Sequence, residues 1–154
     1  MTCAWFCWLW VALLAPDRPP HTRPPAPDES LSRLEAEPNL EKRAHAALEN
    51  AEDAFKRAKE AYAGGDHEGA ATRFEEVEQS VEMADSCLKK TGKNPSRSPK
   101  HFKHAELKTR ELLRRMDGFR DEMSVTDRPA LDQVIGAVQK IHDALLEGIM
   151  GKRK

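Results

Sequence analysis

Four apolar stripes at helical spacing constrain the fold of this chain more than any other feature of its sequence. From Asn39 onward, apolar side chains recur at steps of three and four residues in four segments of similar length. This spacing keeps each stripe on one side of an α-helix, and four such helices can close over a common core. No window alternates apolar and polar residues with a period of two, so we expect no β-sheet. The stripes contain, in order, Leu40, Ala44, Ala47, Ala51, Phe55, Ala58 and Tyr62; Ala70, Phe74, Val77, Val81, Ala84 and Leu88; Phe102, Ala105, Leu112, Leu113, Met116, Phe119 and Met123; and Leu131, Val134, Ile135, Val138, Ile141, Leu145 and Ile149.

Residues that stop and start helices separate the four segments. The sequence Gly-Gly-Asp at 64–66 supplies a left-handed stop followed by an N-cap. Ser98 and Asp127 stand just before prolines that suit a first helical turn, and we expect both side chains to act as caps. Helices of about 22 to 25 residues joined by short turns predict an all-α fold, an antiparallel up-down-up-down four-helix bundle over residues 39–150.

The N-terminal residues differ in composition from the predicted bundle. Residues 1–15 include the apolar run CAWFCWLWVALLA, which is shorter than the roughly 18 to 20 residues of a membrane-spanning helix. We interpret it as a signal peptide or a short membrane anchor, with a buried core segment as the alternative. No Lys or Arg precedes the run and Pro16 follows it directly, so the sequence leaves open whether the segment is cleaved.

A proline-rich segment follows the apolar run. Residues 16–38 contain six prolines between Pro16 and Pro27, which predicts a disordered tether. The last residues, 151–154, form a short basic tail. Together these features predict an exported protein that is periplasmic, secreted or tethered to a membrane.

Known catalytic and cofactor motifs are absent from the sequence. It has no Cys-x-x-Cys-His for covalent haem, no Glu-x-x-His pair for a di-iron centre, and no Gly-Lys-Ser or Gly-Lys-Thr after its glycines. Cys87 is the only cysteine beyond residue 15 and flanks the second stripe, so we expect a buried thiol and no internal disulfide. We therefore predict no catalytic residue, no cofactor and no enzymatic activity.

Histidine spacing leaves one metal site geometrically conceivable. His101 and His104 lie one turn apart, and His142 lies on the fourth predicted helix. Lysines surround the first two, and their positive charge would oppose a cation, so we predict no metal site. Met116 and Met123 lie within an apolar stripe and are expected to fill the core.

Charge is distributed unevenly along a chain whose net charge is only −1. Residues 28–85 hold 16 acidic and 7 basic residues, a balance of −9, whereas residues 89–115 hold 10 basic and 2 acidic residues, a balance of +8. The charges either neutralise each other within the bundle, or bind a partner protein or a second copy, or bind a polyanion such as an anionic membrane surface. Nucleic acid is not expected, because Phe102 is the only aromatic residue of the basic stretch and the core requires it. The candidate binding residues are Lys100, Lys103, Lys108, Arg110, Arg114 and Arg115.

Two stretches resemble known proteins. The sequence AYAGGDHEGAATRF at 61–74 resembles the middle of a tetratricopeptide hairpin, with Ala70 and Phe74 where that family has its small residue and its aromatic residue. No second copy follows, and a solenoid needs about three repeats, so the resemblance implies a single helical hairpin. Residues 37–151, from EPNLEKRA to DRPALDQVIGAVQKIHDALLEGIMG, are similar to uncharacterised small exported bacterial helical-bundle proteins. That similarity implies compartment and architecture only.

These observations predict a non-catalytic exported helical module that binds other proteins or has a structural role. The alternative is a metal- or haem-carrying four-helix bundle of the cell envelope, since helical bundles commonly hold such groups.

Overall fold

The computed structural model describes residues 27–151, which form five α-helices. These residues contain no strand, so the predicted all-α fold is confirmed. The four long helices have 24, 24, 23 and 23 residues, as the stripe lengths predicted. The predicted signal peptide or anchor and most of the predicted basic tail lie outside the described residues. The helices are α1 (Pro27–Glu35), α2 (Leu40–Ala63), α3 (His67–Lys90), α4 (Lys100–Glu122) and α5 (Arg128–Met150).

Helix α1 lies within the range that was predicted to be a disordered tether. The closely spaced prolines end at Pro27, and a proline is well suited to the first turn of a helix. Leu34 then packs against the same cluster of buried apolar residues as Leu40 of α2. From Pro27 the structure therefore differs from the tether prediction, because a short amphipathic segment follows the prolines and finds apolar surface to cover.

The turn between α2 and α3 has the predicted chemistry. Gly65 adopts a left-handed backbone with φ of 80°, which a residue without Cβ tolerates at little cost. Asp66 then caps α3, with its Oδ1 accepting a hydrogen bond of 2.8 Å from the backbone N–H of Gly69. The cap of α2 is similar, since Asn39 Oδ1 accepts from two backbone N–H groups at 3.0 Å each.

The other two predicted caps are wrong. Helix α4 begins after Pro99 without a side-chain cap, so Ser98 does not serve that purpose. Asp127 occupies the N-cap position of α5, but its own backbone is already helical and its side chain makes no capping bond. Its carboxylate instead accepts a hydrogen bond of 3.0 Å from the hydroxyl of Tyr62 on α2, which draws it away from the helix end.

The arrangement of neighbours differs from a simple up-down-up-down bundle, in which successive helices lie side by side. Helices α2 and α3 form one closely packed hairpin and α4 and α5 form another. Helix α2 lies next to α4, α3 lies next to α5, and α3 and α4 stand at opposite corners with few contacts. Residues 91–99 connect these two diagonally placed helices and are longer than the short turns that the sequence predicts.

The apolar stripes meet in two adjoining clusters along the bundle. Phe55, Phe74 and Phe119 form the centre of the larger one, with ring centroids 6.0 to 6.5 Å apart. Met116 and Met123 are buried in it as predicted. The smaller cluster contains Cys87, which is buried as expected, and packs around Leu48, Leu88, Phe102 and Leu145.

A fully buried carboxylate joins α2 to α3. Glu76 has no solvent exposure, and its Oε2 accepts a hydrogen bond of 2.7 Å from Arg73 on the same helix. Its Oε1 accepts bonds of 3.1 Å from both Arg57 and Asn50 of α2. Because a buried charge is tolerated only when it is paired and hydrogen-bonded, this arrangement accounts for an acidic residue within the core.

Candidate functional site

The outer side of α4 carries cations arranged around one exposed leucine. The side chains of this surface recur at steps of three and four residues along α4, and all of them are exposed to solvent. They lie opposite the side of the helix that buries Leu112 and Met116. Leu107 is 51% exposed and lies in the middle of the stripe. We call this surface the basic face, and it consists of Lys100, Lys103, Leu107, Arg110 and Arg114.

Two of the six predicted binding residues do not belong to this face. Lys108 is half-buried, and its ammonium bonds both carboxylate oxygens of Glu52 on α2, at 3.0 and 3.1 Å. Arg115 is also half-buried and lies with its guanidinium 5.6 Å from the centre of the Phe55 ring. Both cations therefore stabilise the packing of α4 against α2 and are not presented to a partner.

The other four predicted residues are exposed, as a binding surface requires. Arg110 makes one surface ion pair, 3.7 Å to Glu106 one turn earlier, and such pairs contribute little. Lys100, Lys103 and Arg114 make no ion pair within 4 Å with any residue of the described chain. The bundle thus neutralises only part of the basic stretch.

The order of charges along α4 does not favour the helix itself. The first turn contains Lys100 and Lys103 and no acidic residue, whereas the last turn contains Asp121 and Glu122 beside a single cation, Arg120. A helix dipole favours the reverse order, with anions at the N-terminus and cations at the C-terminus. Helix stability therefore does not explain why the cations lie where they do.

An acidic surface lies at the opposite corner of the bundle, on the outer side of α3. Glu68, Glu75 and Glu82 are exposed and recur every seven residues, and Glu78 lies beside them, half-buried. Burial, together with the carboxylates of Glu82 and Glu75, raises the pKa of Glu78 above its ordinary value. Glu75 and Glu82 therefore repel Glu78, and Lys140 of α5 offsets part of that repulsion. We call Glu68, Glu75, Glu78 and Glu82 the acidic face, and a complementary cationic surface would relieve the repulsion further.

The structure brings together a different histidine trio from the one considered in the sequence. His142 is buried elsewhere, and its Nδ1 lies 3.1 Å from the hydroxyl of Thr109. His45 of α2 instead meets His101 and His104 of α4. His45 Nε2 lies 2.9 Å from His101 Nδ1, and the ring of His45 stacks on that of His104 with centroids 4.1 Å apart. We call His45, His101 and His104 the histidine cluster.

Burial and neighbouring positive charge keep part of this cluster neutral. The pKa of His45 is lowered first by burial and then by His104 and His101. The pKa of His104 is lowered first by burial and then by Lys108. Among residues 27–151 no group of three or more His, Cys, Asp or Glu side chains is arranged to enclose a metal ion.

Sequence reasoning missed Leu107 and His45. Leu107 lies off the apolar stripe of its helix and among basic residues. An apolar residue at such a position is the sequence feature that could have indicated an exposed leucine. His45 lies 56 residues before its partner His101. Only its spacing of four residues from Glu41 and from Glu49 marked a polar side of α2 that would face another helix.

Comparison with known proteins gives no relative. No protein-family model matches the chain, and no curated protein or solved structure is significantly similar to it. The resemblance to small exported bacterial helical-bundle proteins therefore stays a prediction. Within residues 27–151, no helix has the combined length and apolar character needed to cross a membrane.

Proposed function

We propose that this chain is a non-catalytic helical interaction module, exported as residues 1–15 predict, whose basic face binds an acidic helical surface. The observation that carries the proposal is the set of exposed cations, three of them without an ion pair in the described chain, around the exposed Leu107. An apolar side chain encircled by charge is a typical centre for a contact, because the apolar group is desolvated while the rim sets orientation.

The partner that fits this face is the acidic face of a second copy. Lys100 and Arg114 are fourteen residues apart on α4, and Glu68 and Glu82 are fourteen residues apart on α3. Each stripe is therefore about 21 Å long at 1.5 Å per residue, so the opposite charges match in length as well as in sign.

The positions of the two faces determine what kind of assembly would form. Helices α3 and α4 stand at opposite corners of the bundle, so each copy offers a basic surface on one side and an acidic surface on the other. Pairing of unlike surfaces is heterologous and leaves one face free on each end copy. We therefore expect association that grows with protein concentration and does not stop at a closed dimer.

Sedimentation velocity at low and high salt tests the proposal. Association should be strong at about 20 mM salt and largely absent at about 500 mM, because exposed charges are screened within a few ångströms at high ionic strength. Reversing the charge of Lys103, Arg110 and Arg114 to Glu should give a monomer at both salt concentrations. A matched control carries Glu at Lys42 and Lys56, which are exposed cations of α2, and should associate like the unmodified chain.

A charge-swap experiment makes the test specific. A second variant has Lys at Glu68, Glu75 and Glu82 and should also be monomeric alone, because both of its faces are then basic. Mixing it with the acidic α4 variant should restore association, since each variant supplies the face that the other lacks. Failure of the mixture to associate would contradict self-association. Binding of anionic vesicles by a strictly monomeric chain would overturn the choice of partner in favour of a membrane surface.

A further inference from the structure

An apolar pocket lies at the end of the bundle where α2 and α4 end and α3 and α5 begin. Its volume is about 330 Å³, and it opens to solvent. The buried side chains of Phe74 and Met123 line it, together with the half-buried ring of Tyr62. The pocket shares no residue with the basic face or the acidic face, so a ligand bound there is independent of the proposed association.

Alanines on two helices explain why this space is open. Ala70 and Ala71 of α3 and Ala130 of α5 line the pocket, and each contributes only a methyl group. Ligand-binding clefts in proteins typically measure about 300 to 1,000 Å³ and have mostly apolar walls with a few polar groups. The pocket lies at the small end of that range, which suits a ligand with one ring and a short chain.

One carboxylate provides a polar group in the pocket wall. Asp127 Oδ2 accepts a hydrogen bond of 3.0 Å from the hydroxyl of Tyr62, which itself accepts one of 2.9 Å from the backbone N–H of Ser124. His67 Nδ1 lies 3.4 Å from the same carboxylate oxygen. These contacts restrain the carboxylate before any ligand arrives, and such preorganisation reduces the entropy that binding costs.

The second oxygen of Asp127 retains capacity to accept a hydrogen bond. Within residues 27–151 its hydrogen-bond contact is with Thr126 Oγ1 at 3.4 Å, which is longer than an ordinary O–H···O bond of about 2.5 to 3.0 Å. An ionised carboxylate can accept about four hydrogen bonds through its two oxygens. A donor that carries positive charge would form the stronger, charge-assisted bond.

The surroundings favour a cation over an anion at this carboxylate. Two helices begin at this end of the bundle and two end there, so their dipoles largely offset one another. No lysine or arginine of the described chain forms an ion pair with Asp127. Arg128 is its neighbour in sequence, but the guanidinium donates to the backbone carbonyls of Met123 and Asp121, at 3.3 and 3.5 Å. The carboxylate of Asp127 is therefore available to a cationic ligand.

We propose that this pocket binds a small arylalkyl amine, with the aromatic ring against Phe74 and Met123 and the ammonium group at Asp127. Burial of the ring removes apolar surface from water, and the ammonium donates a charge-assisted hydrogen bond to Asp127 Oδ1. The volume of the pocket, its apolar walls and its single carboxylate together select this class of ligand.

Titration of the full chain with three ligands of similar shape tests the proposal. At neutral pH phenethylamine is cationic, phenethyl alcohol is neutral and hydrocinnamate is anionic, so the three differ mainly in the charge of the polar end. We expect phenethylamine to bind at one site per chain and about tenfold or more tightly than the other two. Equal affinity for the three, tighter binding of the anion, or no saturable binding would overturn the proposal.

Asp127→Asn removes the charge and keeps a side chain of the same shape. It should weaken phenethylamine binding about tenfold and leave the affinity for phenethyl alcohol nearly unchanged, because the alcohol depends on the apolar walls. Asp143→Asn is the matched control, since Asp143 is an exposed carboxylate of α5 outside the pocket, and it should bind like the unmodified chain. Unchanged phenethylamine binding by Asp127→Asn, or equal loss of both ligands, would overturn the role assigned to the carboxylate.

Two further measurements locate the ligand. Ala130→Leu enlarges an exposed residue of the pocket wall and should weaken binding of all three ligands, whereas Ala144→Leu, at an exposed alanine of α5 outside the pocket, should not. Phenethylamine should shift the NMR signal of the Met123 methyl group and not that of Met83, which packs against the smaller apolar cluster. Full binding by Ala130→Leu, or an unmoved Met123 signal, would overturn the proposal. Circular dichroism of each variant should show unchanged helicity, so that lost binding is not confused with lost folding.

Discussion

The Glu76 network and the basic face are two concentrations of charge that follow opposite rules. Inside the α2–α3 hairpin, each oxygen of Glu76 accepts at least one bond from an arginine, because an unmatched charge there would cost several kcal/mol. On the outer side of α4, Lys103 and Arg114 have no ion pair in the described chain, and water solvates them at no such cost. The cations of the basic face are therefore charges that the fold leaves exposed to solvent.

The summed charge of a segment differs from the charge that its surface presents to solvent. Residues 28–85 carry −9, but this sum includes Glu76, whose charge is neutralised within the bundle. Residues 89–115 carry +8, but Lys108 belongs to an ion pair with Glu52. Counting charge along the chain therefore overestimates what either surface offers to a partner.

Removing the buried carboxylate is the strongest way to test this contrast. Glu76→Ala removes the buried carboxylate to which Arg57 and Arg73 donate, and because breaking a buried ion pair is costly we expect it to lower the free energy of unfolding by about 3–5 kcal/mol. Urea denaturation measures the loss. The neighbouring exposed variant Glu75→Ala should change the free energy of unfolding by no more than about 0.5 kcal/mol. Equal effects at the two positions would show that the buried network is not structural.

A smaller effect is expected at the half-buried pair between α4 and α2. Lys108→Gln removes the cation that bonds Glu52 and should lower the free energy of unfolding by about 0.5–1 kcal/mol, since a partly screened pair contributes less than a buried one. Urea denaturation at two salt concentrations checks the assignment. The loss should shrink at high salt, and a loss that is independent of salt would point to packing of the lysine stem as its cause.

The histidine cluster should make the seam between α2 and α4 sensitive to pH. Folding lowers the pKa of His45 and His104 below the ordinary value of 6.5, so the unfolded chain takes up protons first as the pH falls. The stability that the neutral imidazoles contribute is present above about pH 6.5 and is lost as the pH falls below it. Glu49 and Glu41 face the cluster and soften the effect, while Lys108 strengthens it at His104.

Thermal melts between pH 7.5 and 5, with a chelator to exclude metals, measure this dependence. Replacing His45 and His104 by Gln should flatten the curve. A pH dependence that survives in the double variant would assign the effect to other groups.

Local patterns explain why much of the fold was predictable from the sequence. The stripes predicted the long helices because side-chain period is a local property, and Asp66 was recognised as a cap because capping acts within three residues. The neighbour relations were not predictable, because they depend on how residues 91–99 cross the end of the bundle. Asp127 failed as a predicted cap for a similar reason, since its hydrogen-bond partner Tyr62 is 65 residues away.

The candidate site was predictable only in part. Helical spacing placed Lys100, Lys103, Arg110 and Arg114 together, but it did not reveal that Lys108 would pair across the seam. Exposure of a cation depends on which helices become neighbours, and that information is tertiary.

One variant tests the central claim most directly, namely that the cations of the basic face are not needed by the fold and are available for binding. This variant carries Gln at all four cations of the basic face. Its free energy of unfolding and its sedimentation at low salt are measured on the same sample. We expect the free energy of unfolding to stay within about 0.5 kcal/mol of the unmodified chain, while the salt-sensitive association disappears. A clear loss of stability would mean that the charges are matched inside the bundle, and association that persists in the variant would mean that the basic face is not the binding surface. The four positions are Lys100, Lys103, Arg110 and Arg114.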